Sequence, residues 1–334
     1  MDCLKVYALA LSFIGSVIAS GCSRALSLPP DDSTGAPKTF VAVGADGTIL
    51  SSRDGARWTA EESGVSANLS SVATGRASFV AVGRGGAILS SPDGVSWTRR
   101  SSPTTVELQQ VIFNGDKFVA VGGSWSSDAV TVKSSDGITW TQVESPSNYS
   151  FHAVAYGRDT LVVAAYTPSN VQPMGLTPVL FTSAVSSGSS VSSGWSQQQG
   201  PDFTDSVTVG DEIVLVGSAG GGAGAFRSRD GVTWTTNRLP TFQAVTGIAF
   251  SGSTFVVVGQ FATILTSSNG ADWSQPPTTL GIKMLQAVTH GSSTFVVVGQ
   301  DGVIVTSADG TTWMTQEAGT TKNLTDIAYG PIRP

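Results

Sequence analysis

"LTDIAYG", residues 324–330, is the last patterned stretch of the chain, and its position decides the fold. It is the seventh of a series that runs "LSSVATG" from 69, "LQQVIFNG" from 108, "FHAVAYG" from 151, "FTDSVTVG" from 203, "VTGIAFSG" from 245 and "LQAVTHG" from 285. Two other markers alternate with it. One is an apolar run closing near Gly: "FVAVG" at 40, 79 and 118, "LVVAA" at 161, "IVLVG" at 213, and "FVVVG" at 255 and 295. The other is a tryptophan, at 58, 97, 140, 195, 234, 273 and 313. In four of the seven units the Trp follows the start of the apolar run by 18 residues. Recurrence in a fixed order marks one supersecondary unit copied along the chain.

Each unit holds four short strands bounded by turn residues: A ("LxxVAYG"), B ("FVAVG"), C ("TILSS") and D, which begins at the Trp. The first unit has B, C and D but lacks A, and the stretch at 324 is an A with nothing after it. Pairing the two closes a ring and leaves no sheet edge open along the circumference. A linear solenoid gives no reason for complementary fragments at its ends. The expected fold is therefore all-β, a single seven-bladed β-propeller of four-stranded blades over residues 38–334, WD40/YVTN-like in architecture.

"SSRDGARWT" at 51–59 shows how strands C and D are joined. An Asp-Gly pair suits a tight hairpin, with Asp accepting backbone N–H bonds and Gly taking a positive φ. A preceding Ser adds a local backbone bond, and the Trp three residues on covers the outer core with its N–H returned to the turn. The expected structural set is Asp54, Gly55 and Trp58, then Asp93, Gly94 and Trp97, and Asp136, Gly137 and Trp140. It continues with Asp230, Gly231 and Trp234, then Asn269, Gly270 and Trp273, and Asp309, Gly310 and Trp313. Over residues 40–330 this pattern resembles the Asp-box (BNR) repeat of sialidase-like propellers. Here Gly directly follows Asp, one residue shorter than that family's S-x-D-x-G-x-x-W. The shorter form looks more like bacterial propellers related to photosystem II assembly factors, and that resemblance implies scaffolding rather than hydrolysis.

Composition bounds the rest. The chain has 334 residues, 13% charged, with 18 Lys and Arg and a net charge of -6. No basic run occurs, so a nucleic-acid partner is not expected. Residues 1–21 have the plan of a secretory signal, and "ASGC" at 19–22 resembles a bacterial lipobox with Cys22 as the lipidated residue. Lipid on Cys22 would anchor the chain without spanning the membrane. Residues 22–37, rich in Pro, Ser and Asp, read as a flexible tether. Cys3 leaves with the signal, so no disulfide is expected.

Catalytic signatures are missing. A sialidase needs an arginine cluster, a Tyr–Glu nucleophile pair and an acid/base Asp. The family's Arg-Ile-Pro motif is not found, and "PIRP" at 331–334 has those letters in another order at the wrong end. His152 and His290 with one mature Cys do not make a zinc site. No catalytic residue, metal or cofactor is expected. Binding candidates come from two places. The B–C connections of the third and fourth blades carry insertions, "GGSWSSDA" with Trp125 and "AYTPSNVQPMGLTP" with Tyr166 and Met174. A polar ring on strand A also lines the channel: Ser70, Gln109, His152, Asp205, Thr246, Gln286 and Thr325.

The sequence thus reads as a monomeric propeller exported across the inner membrane and lipid-anchored at the outer membrane or cell surface. Its expected role is non-catalytic binding or scaffolding of a protein partner or assembly complex. The alternative is a carbohydrate-binding or sialidase-like glycoside hydrolase propeller.

Overall fold

A computed structural model describes residues 37–332 apart from 76–77, 125–126, 168–177, 185–193, 210–211, 220 and 279. Seven antiparallel sheets stand around a central channel, and all but one have four strands. The closing pair forms as the end fragments require. Strand A of blade 1 (Leu324–Pro331) runs antiparallel to strand B (Lys38–Gly44), from Lys38 opposite Pro331 to Gly44 opposite Leu324. The terminal strands thus complete one blade rather than leaving two open edges.

Blade 6 departs from the plan. Strands A (Val245–Phe250), B (Phe255–Gly259) and C (Ile264–Ser267) are present, but strand D shrinks to one bridge between Thr266 and Ser274. Pro276 and Pro277 follow at once. Proline fixes φ and offers no N–H to the ladder, so the outer strand ends there.

Strand B reads as an unbroken apolar run because both its faces are covered. Phe40 and Ala42 pack with Val296 and Val298 of blade 7, whereas Val41 and Val43 pack with Phe79 and Ala81 of blade 2. Alternate residues of one strand thereby supply two inter-blade cores. The aromatic that opens strand B meets the Trp before strand D, with ring centroids 6.5 Å apart for Phe40–Trp58 and 6.1 Å for Phe255–Trp273.

In the six blades whose C–D turn is described, that turn bolts the blade to its predecessor. In blade 2, Asp93 Oδ1 accepts the N–H groups of Val95 and Ser96 at 2.9 and 2.7 Å, and Ser91 Oγ accepts that of Gly94 at 2.8 Å. Trp97 Nε1 donates to the Gly94 carbonyl at 3.1 Å. Gly94 has φ 78°, and a Cβ there would lie 2.8 Å from Thr39 and Val41 of blade 1. Glycine is needed both for its conformation and for this close approach. The indole returns to its turn in the same way at Trp58, Trp140, Trp273 and Trp313, at 2.9 to 3.3 Å. Backbone N–H donors stabilise the turn carboxylates in their charged form, holding Asp54 and Asp136 below the ordinary value and Asp230 at about 2.

Candidate functional site

Strand A carries a bulge at the same place in every blade, and each bulged residue is polar. The register skips Ser70, Gln109, His152, Thr204, Thr246, Gln286 and Thr325. The sequence-based ring is thereby corrected at one position, because Thr204 rather than Asp205 holds the place in blade 5. Counting back from the glycine that closes "FTDSVTVG" misplaces it. Val209 pairs with Glu212 as Gly75 pairs with Ser78, so the extra residue lies beyond the strand and the motif must be aligned from Phe203. Residues of this ring line a channel cavity of about 240 Å³.

The threonines of the ring are inter-blade fasteners. Thr204 Oγ1 lies within bonding distance of the Val216 carbonyl of its own blade and the Val245 carbonyl of the next, at 3.1 and 2.9 Å. Thr246 serves Val258 and Leu285 at 3.3 and 2.8 Å, and Thr325 serves Val43 and Leu69 at 3.1 and 2.7 Å. The following residue adds a second tier, accepting a backbone N–H from the next blade. Asp326 accepts from Val72 at 2.9 Å, Gln110 from Val154 at 2.6 Å and Asp205 from Ile248 at 2.9 Å. Burial raises the carboxyls of Asp205 and Asp326, to about 7 and about 6, and the charge of Asp326 raises Asp205 further.

The second tier has no side-chain acceptor at blades 4, 6 and 7, where Ala153, Gly247 and Ala287 stand, and blade 4 is the one of these that carries a histidine in the ring. There the ring residue His152 reaches Asp202 at the start of strand A of blade 5 (Asp202–Val209), with Nε2 3.1 Å from Oδ1. A carboxylate only accepts, so Nε2 carries the proton. Nδ1 is then buried with no hydrogen-bond partner among the described residues. Tyr166 stacks on the imidazole at 4.1 Å and 7°, and donates from its hydroxyl to Asp202 Oδ2 at 3.1 Å. Burial first, then the Asp202 charge, pushes the Tyr166 phenol well up.

A groove of about 780 Å³ runs along blade 5 and shares Asp202 with this cluster. It is lined by Gln199, Asp202, Ser218, Phe226, Trp234 and Arg238, among others. Trp195 sends its N–H to the Glu144 carbonyl of blade 3 at 2.9 Å, and the buried N–H of Trp234 has no partner among the described residues. Arg238, at the end of strand D (Thr235–Arg238), is exposed and makes no ion pair among the described residues.

Of the residues singled out from sequence, His152 and Tyr166 come together, while Gln109 and Gln286 line the channel without joining them. Trp125, Met174 and Cys22 lie outside the described residues. The blade 3 insertion lengthens its hairpin: strand B runs to Ser124 and strand C starts at Ser127, where a loop was expected. Sequence reasoning missed Asp202 and Arg238, which no repeat marker flags. It also missed that the Trp234 N–H goes unmet where five counterparts return to their turns and Trp195 reaches Glu144, because the letters of its turn are normal.

Seven antiparallel sheets closed by the terminal strands define a β-propeller. Residues 189–327 match the family model of the DUF6242 beta propeller domain. The structure is similar to YCF48 from Cyanidioschyzon merolae, with 16% identity and a TM-score of 0.59 over 83% of this chain and 97% of that one. It is also similar to YCF48 bound to D1 peptide, with 15% identity and a TM-score of 0.58 over 93% and 99%. At such identity the likeness is one of fold. No curated protein matches the sequence.

Proposed function

We propose that this chain is a non-catalytic propeller that holds a segment of a partner protein against blades 4 and 5, tethered to the cell envelope through lipid on Cys22. The groove beside Trp234 carries the reading. An extended segment offers backbone carbonyls for an unpaired indole N–H, a carboxylate for the Arg238 guanidinium and an apolar side chain for the Phe226 wall. A similar fold has been solved with a peptide bound, which supports a peptide as ligand. Pro37, the first described residue, lies at blade 1, where its carbonyl accepts the Ile332 N–H at 2.9 Å.

Affinity capture from envelope extract with the full-length protein tests this. We expect a protein partner whose recovery falls about tenfold with Arg238→Glu, the equivalent of about 1.4 kcal/mol. Capture of a glycan, or recovery indifferent to the substitution, overturns it. Cys22→Ser is expected to move the chain from the membrane to the soluble fraction, and retention in the membrane refutes the anchor.

A further inference from the structure

Large apolar side chains are exposed at few positions. Val95, Ile138 and Val232 occupy equivalent sites on three separate C–D turns, one to a blade. Phe242, Phe261 and Ile282 are different: they are 84%, 53% and 81% exposed and gather about one end of blade 6. Phe242 lies on the connection into strand A, Phe261 on the B–C turn, and Ile282 on the connection to blade 7. Strand alternation puts all three connections on one face. Two main-chain hydrogen bonds knit them together: Gln260 N–H to the Ala244 carbonyl at 2.9 Å, and Ala262 N–H to the Lys283 carbonyl at 2.6 Å.

The turn that presents Phe261 is conformationally unusual. In blades 1 and 7 the same turn is Asp46-Gly47 and Asp301-Gly302, with φ of 53° and 71°, and of 57° and 69°. Blade 6 puts Phe261 and Ala262 there, at 53° and 52°. A bulky residue in the left-handed region is disfavoured, and such strain persists at functional sites. Nothing inside the fold recovers it, because the Phe261 ring points outward.

We propose that Phe242, Phe261 and Ile282 form a docking surface for an apolar, carboxylate-bearing segment of a partner protein, with Arg238 receiving the carboxylate. This rests on the protein-binding reading above and extends its surface from the groove to blade 6. Arg238 and the Thr241 carbonyl both flank Gly222, which joins groove and patch. Lys283 is already paired with Asp301 at 3.2 Å, so the charge left unmet at this surface is Arg238. A second copy would set Arg238 against Arg238. Binding to an anionic bilayer takes a cluster of cations, and one is available here. The unpaired indole N–H of the adjoining groove suits a peptide carbonyl.

A phage-displayed random peptide library panned on the full-length protein tests the proposal. Enriched sequences are expected to combine aromatic or aliphatic residues with Asp or Glu. They should bind the Phe242→Ser/Ile282→Thr double variant and the Phe261→Asn variant at least about tenfold more weakly. The first variant alters only exposed tips, so it should melt like the wild type. Phe261→Asn, which suits a positive φ, should melt higher while binding less. That pairing is what stored strain predicts and simple damage does not. No enrichment overturns the proposal, as do peptides that bind both variants as tightly as the wild type. If such peptides still depend on Arg238, the groove reading survives without the patch. Wild-type binding to phosphatidylcholine/phosphatidylglycerol vesicles that is lost in the double variant would assign the patch to a bilayer. Self-association in sedimentation that is lost in the variant would assign it to a second copy. Either result overturns the proposal.

Discussion

The seam between blades 1 and 2 and the seam between blades 4 and 5 are built from the same repeat and end differently. At the first, Thr325 and Asp326 bind across the channel side to Leu69 and Val72, while Gly94 and Trp97 close the outer side. At the second, the position of Asp326 is taken by Ala153, and that of Thr325 by His152. His152 turns its proton to Asp202 and leaves a nitrogen unpaired, and the Trp234 N–H is likewise unmatched. The groove opens beside this seam. A ring of identical contacts has no reason to bind anything at one place. Blades 6 and 7 also lack the second-tier acceptor, with Gly247 and Ala287 in its place, so what sets this seam apart is its two unmatched buried polar groups beside a groove.

The comparison can be broken by loading both seams with the same change. Gly94→Ala places a Cβ 2.8 Å from Thr39 and Val41, whereas Gly231→Ala meets Val162 and Thr160 at 3.1 and 3.2 Å. Both substitutions carry the cost of a positive φ, but Gly94 must push its packed neighbours further than Gly231 must. We expect Gly94→Ala to cost about 2–4 kcal/mol and Gly231→Ala about 1–2 kcal/mol in denaturant unfolding. Equal costs would mean that the seam beside the groove is as tightly closed as the other.

The acid limb of the stability profile separates the turns from the channel. The turn carboxylates titrate below their ordinary 3.8 in the folded chain, so their contribution is present above that value and is lost as pH falls toward about 2 at Asp230. Asp205 and Asp326 run the other way. Their folded values are raised to about 7 and about 6, so the folded chain keeps protons that the unfolded chain releases near 3.8. Their contribution is fully present below 3.8 and is lost as pH rises through the folded values. Stability should therefore peak near pH 4–5 and fall toward neutrality by up to about 1.4 kcal/mol per pH unit for each carboxyl. Asp205→Asn should flatten that decline, measured by chemical unfolding across the range. An unchanged slope would show that Asp205 is ionised throughout.

Much of the architecture is legible in the sequence. The blade count, the four-strand plan and the closing pair follow from the positions of short apolar runs and from an A strand stranded at residue 324. Each blade needs the same alternation, so the signal is repeated and local. The bulge was not readable, because it inserts a residue without changing the letters; it misassigned Asp205 by one position. The shortened strand D of blade 6 has its cause in Pro276 and Pro277, which no marker of the repeat takes into account. The cluster at blade 4 was only half visible. His152 and Tyr166 come from insertions and ring positions that sequence can flag, but Asp202 joins them through a packing of two blades that no local pattern encodes.

The smallest effect sharpens the comparison most. Trp97 and Trp234 follow the same Asp-Gly turn, and both stand partly buried before strand D. Trp97→Phe removes a hydrogen bond to the Gly94 carbonyl, while Trp234→Phe has no such bond to remove. The loss of ring area is similar in the two, so the difference isolates the indole N–H at about 1 kcal/mol, or a few degrees in the melting midpoint. A peptide bound through the Trp234 N–H makes a further demand: the Trp234→Phe variant should then be the more stable of the two in isolation and the weaker binder. Equal destabilisation by the two substitutions would show that the Trp234 N–H already has a partner in the free protein, and the groove would lose the donor on which its peptide-binding chemistry depends.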